Sequence, residues 1–177
     1  VKYYIDDKKD VDCFSPLSLA KIMSGDKRGF APCTPMGVIE ILKYYDIDLR
    51  GKNVTVLGRS MVVGKPLSML LLNRDSTVTI CHSKSKDLEN IVKESDILVS
   101  CMGRAKAVDK SYIKEGAVVI DVGINFDQEG KMCGDVDTDD VLERVSHITP
   151  VPGGVGSVTS SILARHTLRA CIQLHDL

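Results

Sequence analysis

Apolar and polar positions along the chain fall into two regimes. Between Thr34 and Tyr45, the residues Val38, Ile41, Leu42 and Tyr45 recur at helical spacing. Thr34 suits the position that caps such a helix, and Pro35 suits its first turn. From Leu49 onward, short apolar runs alternate with amphipathic segments. KNVTVL (52–57) reads as a short buried strand, and TVTIC (77–81), DILVSC (96–101) and AVVIDVG (117–123) read as a second, third and fourth strand. A segment from about Pro66, DLENIVKES (87–95), a short stretch near SYIKE (111–115) and TDDVLERV (138–145) read as helices. A connecting stretch holds KMCGDV, and HITPVPGGVGSVTSSILARHTLRACIQ reads as a glycine-rich loop followed by a last helix. This alternation predicts an α/β fold: a Rossmann-like, doubly wound parallel sheet with helices on both faces and right-handed crossovers. Residues 1–33 are polar and punctuated around a short helix candidate, SLAKIMSG, and read as the end and linker of another unit. The expected organisation is therefore residues 1–49 as that tail and a connecting helix, 50–149 as the dinucleotide-binding unit, and 150–177 as a closing loop and returning helix. The helices from the incomplete second unit should flank the sheet, and Ile162, Leu163, Leu168 and Ile172 of the last helix should expose apolar surface where they return to it.

Composition narrows the class. A chain of 177 residues with 44% hydrophobic and 27% charged residues is long enough for a real core, and three Phe with no Trp make that core aliphatic. The net charge of -1, with no basic stripe, argues against a general nucleic-acid partner. No apolar run approaches the roughly 20 residues that span a bilayer, and no signal-peptide pattern opens the chain. No membrane partner is expected, and the expected compartment is the cytoplasm, with the mitochondrion as the alternative. The six cysteines lack zinc-ribbon spacing and the four histidines form no HExxH pair, so no metal site is expected. Cys81 and Cys101 end apolar runs and read as buried reduced thiols.

The chemistry concentrates where strands end. Gly58-Arg59-Ser60-Met61-Val62-Val63-Gly64-Lys65-Pro66 lies between a strand and a helix, the junction at which a doubly wound fold binds a pyrophosphate on the helix's free N–H groups. It is not GxGxxG, so a ligand-free tight turn is the competing reading of the loop alone. It is not a Walker A loop either, because Gly64-Lys65 is followed by Pro66. NAD enzymes carry an Asp or Glu about 20 residues on, at the end of the second strand. Here that strand runs into His82-Ser83-Lys84-Ser85-Lys86, which has hydroxyls and cations where a carboxylate would stand. Arg59 adds a guanidinium suited to bidentate phosphate binding, so NADP is expected over NAD. At the end of the fourth strand, Gly123 permits close approach and Ile124 is placed to pack against a nicotinamide ring, unless Asp121 and Asn125 only cap a turn.

KDVDCF, PCTPMG, GRSMVVGKP, CHSKSK, DVGIN and TPVPGGVGSVT, spread from Lys9 to Thr159, together closely resemble the bifunctional methylenetetrahydrofolate dehydrogenase/cyclohydrolase family. The resemblance implies NADP-dependent oxidation of 5,10-methylenetetrahydrofolate to the methenyl form, hydrolysis of that form to 10-formyltetrahydrofolate, and a homodimer. It implies cofactor contacts at Gly58, Arg59, Ser60, His82, Ser83, Ile124 and Gly156. It implies folate contacts at Asp12 and at Pro152, Gly153, Gly154 and Val155, and it marks residues 1–49 as the tail of a catalytic domain. There are three departures from the family pattern. Cys13 replaces a glycine, Ser157-Val158-Thr159 replaces Pro-Met-Thr, and nothing corresponds to the upstream Tyr-x-x-x-Lys helix whose lysine handles the protons. Tyr4-Ile5-Asp6-Asp7-Lys8 has those letters but adjoins KDVD and is a chance match. No catalytic residue is therefore assigned, and the chain is expected to bind NADP without turnover. A stand-alone NADP-binding or dimerisation module is the alternative. A shikimate-dehydrogenase relative is a further one, disfavoured by KDVD and PGGVG.

Overall fold

A computed structural model describes residues 3–175. Five parallel strands form one sheet: β1 (Asn53–Leu57), β2 (Thr77–Cys81), β3 (Ile97–Ser100), β4 (Val118–Asp121) and β7 (His147–Ile148), in the order β2-β1-β3-β4-β7. Register aligns their ends, with Leu57 opposite Cys81 and Ser100, and Ser100 opposite Asp121. The residues that follow these strands therefore stand in a row along one edge.

Alternation along the strands divides the core. Val54 and Val56 of β1, Ile97 and Val99 of β3, and Val118 and Ile120 of β4 face one side, against α1 (Pro16–Ser24), α2 (Cys33–Tyr44), α3 (Gly64–Leu72) and the start of α6 (Val155–His175). Leu57, Leu98 and Val119 face the other side, against α4 (Leu88–Lys93), the 3-10 turn Lys110–Tyr112 and α5 (Thr138–Val141). Both faces are covered, so strands such as β3 and β4 are apolar at successive positions.

Helices α2 and α6 run side by side in the same direction, because Thr34 meets Thr159 at 3.4 Å and Arg165 pairs with Glu40 at 3.1 Å, both at a separation of 125 residues. Gly37 lies on this seam, where a Cβ would stand at an ordinary contact distance of 3.6 Å from Thr159 and Val158. The segment before α2 wraps onto α6. Buried His166 stands 5.2 Å from the Phe30 ring, and Arg169 lies over that ring at 4.9 Å. His166 Nδ1 lies 2.9 Å from the Val11 carbonyl, which can only accept, so this nitrogen carries the proton.

Several elements differ from the sequence-based expectation. Helix α2 begins at Cys33, and Thr34 does not cap it. The cap comes from Asp12, whose Oδ1 accepts the Cys33 N–H at 2.7 Å from 21 residues away. The helix expected near SYIKE is only a 3-10 turn over Lys110–Tyr112, and TDDVLERV is helical only over Thr138–Val141. Two elements were unforeseen: the edge strand β7 and a hairpin of β5 (Asn125–Phe126) with β6 (Met132–Cys133). In α6, Ile162 is buried, whereas Leu163, Leu168 and Ile172 are exposed as expected.

Burial lowers the pKa of His166 below its ordinary 6.5, outweighing the hydrogen bond to Val11, with Arg165 and Arg169 also lowering it and Asp12 opposing them. The unfolded chain binds this proton more readily than the folded one. The His166 contribution to stability is therefore complete above pH 6.5 and is lost as pH falls through and below that value. Melting followed by circular dichroism should show the protein losing stability between pH 7.5 and 5.5, with a shallower loss in His166→Gln; equal slopes in the two proteins would contradict this assignment.

Candidate cofactor site

The chain leaves β1, passes through α3 to β2 on one side, then crosses back to β3 on the other. The sheet's topological switch therefore lies between β1 and β3, where open α/β sheets hold ligands at strand carboxyl ends. Gly58 occupies this point. Its N–H donates to the Cys81 carbonyl at 2.8 Å, and its φ of +142° lies where a side chain is strained. A Cβ there would meet the Cys101 carbonyl oxygen and Sγ at 2.6 Å, so glycine is required to bring the ends of β1 and β3 together. Gly64 is required for a related reason, because a Cβ on it would overlap the Gly58 carbonyl.

Within the loop, Arg59 is exposed and has no ion-pair partner among the described residues. Ser60 does something the sequence did not reveal. Its hydroxyl oxygen accepts the N–H groups of Val63 at 3.0 Å and Gly64 at 3.4 Å. The start of α3 is thus partly satisfied from within, and the Ser60 O–H remains as a donor. After β2, His82 N–H donates to Ser85 Oγ at 3.0 Å, and the Lys84 N–H donates to His82 Nδ1 at 3.2 Å. These bonds fix a tight turn with Ser83 and Lys84 exposed at its tip. Neither Lys84 nor Lys86 has an ion-pair partner among the described residues.

The loops after β3 and β4 are held by two buried carboxylates. Asp135 is 0% exposed. Its Oδ2 accepts Ser100 Oγ–H at 3.0 Å and Met102 N–H at 2.6 Å, and its Oδ1 accepts Arg104 N–H and Asn125 Nδ2–H, each at 2.9 Å. Asp121 accepts from the N–H groups of Gly123 at 2.8 Å, Asp135 at 3.1 Å and Val136 at 2.8 Å. The two strands of chain touch reciprocally: a Cβ on Gly123 would strike the Asp135 carboxylate, and one on Gly134 would strike the Asp121 carboxylate. The close approach that Gly123 permits is therefore at least partly to Asp135. Burial raises the pKa of Asp121, its three backbone donors oppose this, and the nearby charge of Asp135 adds to the rise. Burial, with Asp135 as the second cause, pushes the Cys101 thiol up to about 12, so it is protonated at neutral pH.

Asp135 is the residue that sequence reading missed. Its signal was a GDVD string in a stretch with no periodicity, and only the β5–β6 hairpin returns it beneath β4.

Most of the remaining predicted residues fall on or beside the same edge, and Asp12 does not. Ile124 is 65% exposed at the end of β4. Thr149, following β7, takes the Asp121 N–H on its hydroxyl at 2.8 Å and so ties the Pro152–Gly156 segment to β4. Pro152 and Gly153 are exposed, and side-chain positions on Gly153 and Gly156 would be open. Gly154 packs on the Pro150 carbonyl. Val155 is buried in the core, so only its backbone can face a ligand. Asp12 is not on the sheet edge; it reaches the start of α2, beside α6. Tyr4–Lys8 lies in turns and not on a helix. Among the described residues, no helix is long and apolar enough to cross a membrane, and no group of three or more His, Cys, Asp or Glu could hold a metal ion.

Comparison with known proteins agrees with this geometry. Residues 32–175 match the family model described as tetrahydrofolate dehydrogenase/cyclohydrolase, NAD(P)-binding domain. The chain is 66% identical over 171 residues to the bifunctional protein FolD of Clostridioides difficile, covering 97% of this chain and 60% of that protein. The crystal structure of the bifunctional FolD enzyme from Campylobacter jejuni superimposes with a TM-score of 0.93 at 42% identity, covering 95% of this chain and 60% of that one. The Trypanosoma brucei dehydrogenase-cyclohydrolase, solved with NADP cofactor and inhibitor, gives a TM-score of 0.88 at 40% identity, covering 94% and 59%. The chain thus spans about 60% of the length of the relatives it matches. A parallel sheet with its switch at Gly58, and a family match over most of the chain, lead to one conclusion: the chain belongs to the tetrahydrofolate dehydrogenase/cyclohydrolase family and contains its NAD(P)-binding domain.

Proposed function

We propose that the carboxyl edge of the sheet binds NADP, and that this chain supplies mainly the cofactor half of an enzyme that oxidises 5,10-methylenetetrahydrofolate and hydrolyses the methenyl product to 10-formyltetrahydrofolate. The observation that carries the cofactor reading is the charge at the edge. Arg59, Lys84 and Lys86 are exposed cations free of ion pairs among the described residues, and the turn after β2 offers the Ser83 hydroxyl where a carboxylate would repel a 2′-phosphate. The donor set fits an anionic dinucleotide. The Ser60 O–H and the backbone around Gly58 are suited to the pyrophosphate, Arg59 and Ser83 to the 2′-phosphate, and the exposed face of Ile124 to the nicotinamide ring.

Held by these residues, NADP would supply the hydride acceptor for oxidation of the folate methylene carbon. The residues of this chain bind and orient. Those around Gly58 and His82 anchor the adenosine side, and Ile124 limits where the ring can lie. The open segment from Pro152 to Gly156 and the carboxylate of Asp12 are proposed to hold the folate across from it. Fixing both partners in one geometry supplies acceleration without chemistry by these side chains. The 177 residues alone are proposed to bind cofactor without turnover. A homodimer is also proposed. Its support is an apolar groove of about 800 Å³ beside edge strand β7, lined by Ile41, Tyr44, Ile47, Ile120 and Ile148.

Paired titrations test the cofactor assignment. The chain should bind NADP more tightly than NAD, and Arg59→Ala should weaken NADP about tenfold or more while changing NAD little, the size expected when a charge-assisted contact is lost. Equal losses for both dinucleotides would remove the 2′-phosphate assignment.

A further inference from the structure

The turn after β2 carries two exposed cations and is held by its own hydrogen bonds. Lys84 and Lys86 have no ion-pair partners among the described residues, so their like charges oppose a compact turn until an anion arrives. Ser85, between them, closes the turn in both directions. Its N–H donates to the His82 carbonyl at 2.8 Å, and its Oγ accepts the His82 N–H at 3.0 Å. The same hydroxyl lies within hydrogen-bonding reach of the buried Cys81 thiol, whose pKa burial raises and this contact lowers. The half-buried Ser85 side chain thus ties the turn back to the end of β2. The Lys84 N–H is taken by His82 Nδ1 at 3.2 Å. The N–H groups of His82, Lys84 and Ser85 are therefore spent inside the turn. The N–H of Ser83 is not, and neither it nor the exposed Ser83 hydroxyl has a partner among the described residues. The turn also starts beside the phosphate loop, because the Gly58 N–H donates to the Cys81 carbonyl at 2.8 Å.

We infer that Ser85 is a positioning residue for cofactor specificity: by holding the His82–Ser85 turn closed before binding, it leaves Ser83, with both of its donors unspent, as the turn's contact for a 2′-phosphate. The inference rests on the NADP reading above and adds a residue to which that reading gives no role. Phosphate oxygens only accept hydrogen bonds, so a site for them needs donors that no internal acceptor has taken. A turn closed in advance supplies an N–H and an O–H from one residue with little further ordering. Without the Ser85 oxygen, the His82 N–H loses its acceptor and nothing in the turn's side chains opposes the repulsion of the two lysines. The turn would then have to be ordered by the ligand. That cost falls on 2′-phosphate recognition alone, because the pyrophosphate common to both dinucleotides is held at Gly58 and Ser60.

The test measures the affinity of the 177-residue chain for NADP and for NAD by calorimetry, in the unaltered form, in Ser85→Ala and in Ser85→Thr, which keeps the hydroxyl. Ser85→Ala should cut the preference for NADP over NAD about tenfold, wholly through weaker NADP binding and with NAD unchanged. Ser85→Thr should retain the preference of the unaltered chain. A merely structural role would weaken both dinucleotides in parallel in Ser85→Ala, and that result would overturn the inference, as would a loss of preference in Ser85→Thr equal to that in Ser85→Ala. A preference that disappears in Arg59→Ala but survives in Ser85→Ala would overturn it while leaving the NADP reading intact. An unaltered chain with no preference for NADP would remove both.

Discussion

The burial of the Asp135 carboxylate is the constraint on which the rest of the site depends. A carboxylate with no exposed surface costs several kcal/mol to remove from water, and it is tolerated only where its lone pairs are satisfied. Here four donors converge on it from two loops, and its own N–H completes the shell of a second buried carboxylate, Asp121. The arrangement is mutual. The loop after β3 cannot shift without uncovering Asp135, and Asp135 packs so closely on Gly123 that any side chain there would strike its carboxylate. Charged hydrogen bonds thus fix the rim that would face a nicotinamide.

The adenosine side is organised by a different principle. There, packing of backbone on backbone sets the shape: Gly58 lets β1 meet Cys101, and Gly64 lets the start of α3 rest on the Gly58 carbonyl. Ser60 spends its acceptor capacity on α3, so the loop is rigid before any anion arrives. The cations around it are held loosely and are available. A stiff backbone cradle with free cations on its rim suits a large anion, because ordering costs at binding fall mainly on side chains. The third part, α2 beside α6, links the Asp12 cap to the segment after β7 through Thr34 and Thr159.

Much of this was legible in the sequence, and what was not has identifiable causes. β3 and β4 are largely apolar runs, β1 and β2 alternate apolar residues with Thr, and the strand–helix order specifies a parallel sheet. The residues singled out at 58–60, 82–83 and 124 follow strand ends and fall on one edge for that reason alone. β7 was hidden because His147-Ile148 is only two residues long and carries one buried-side apolar group. The β5–β6 hairpin was hidden because its polar turn and short strands lack period-2 alternation. Asp135 depends entirely on that hairpin, so no local pattern could expose it. Asp12 was noticed through family resemblance; its hydrogen bond to Cys33 is a tertiary contact across 21 residues and replaces the local cap that Thr34 suggested.

The central claim is that the carboxyl edge, from Gly58 across Asp135 to Gly156, is one preformed NADP site. Amide chemical-shift mapping of the isotopically labelled chain during NADP addition tests it directly. Shifts are expected at 58–60, 82–85, 101–104, 122–125 and 152–156, with Ile41, Tyr44, Ile47 and His147 on the far wall of the apolar groove unaffected. Shifts confined to those four residues, or scattered over the amino ends of the strands, would contradict it.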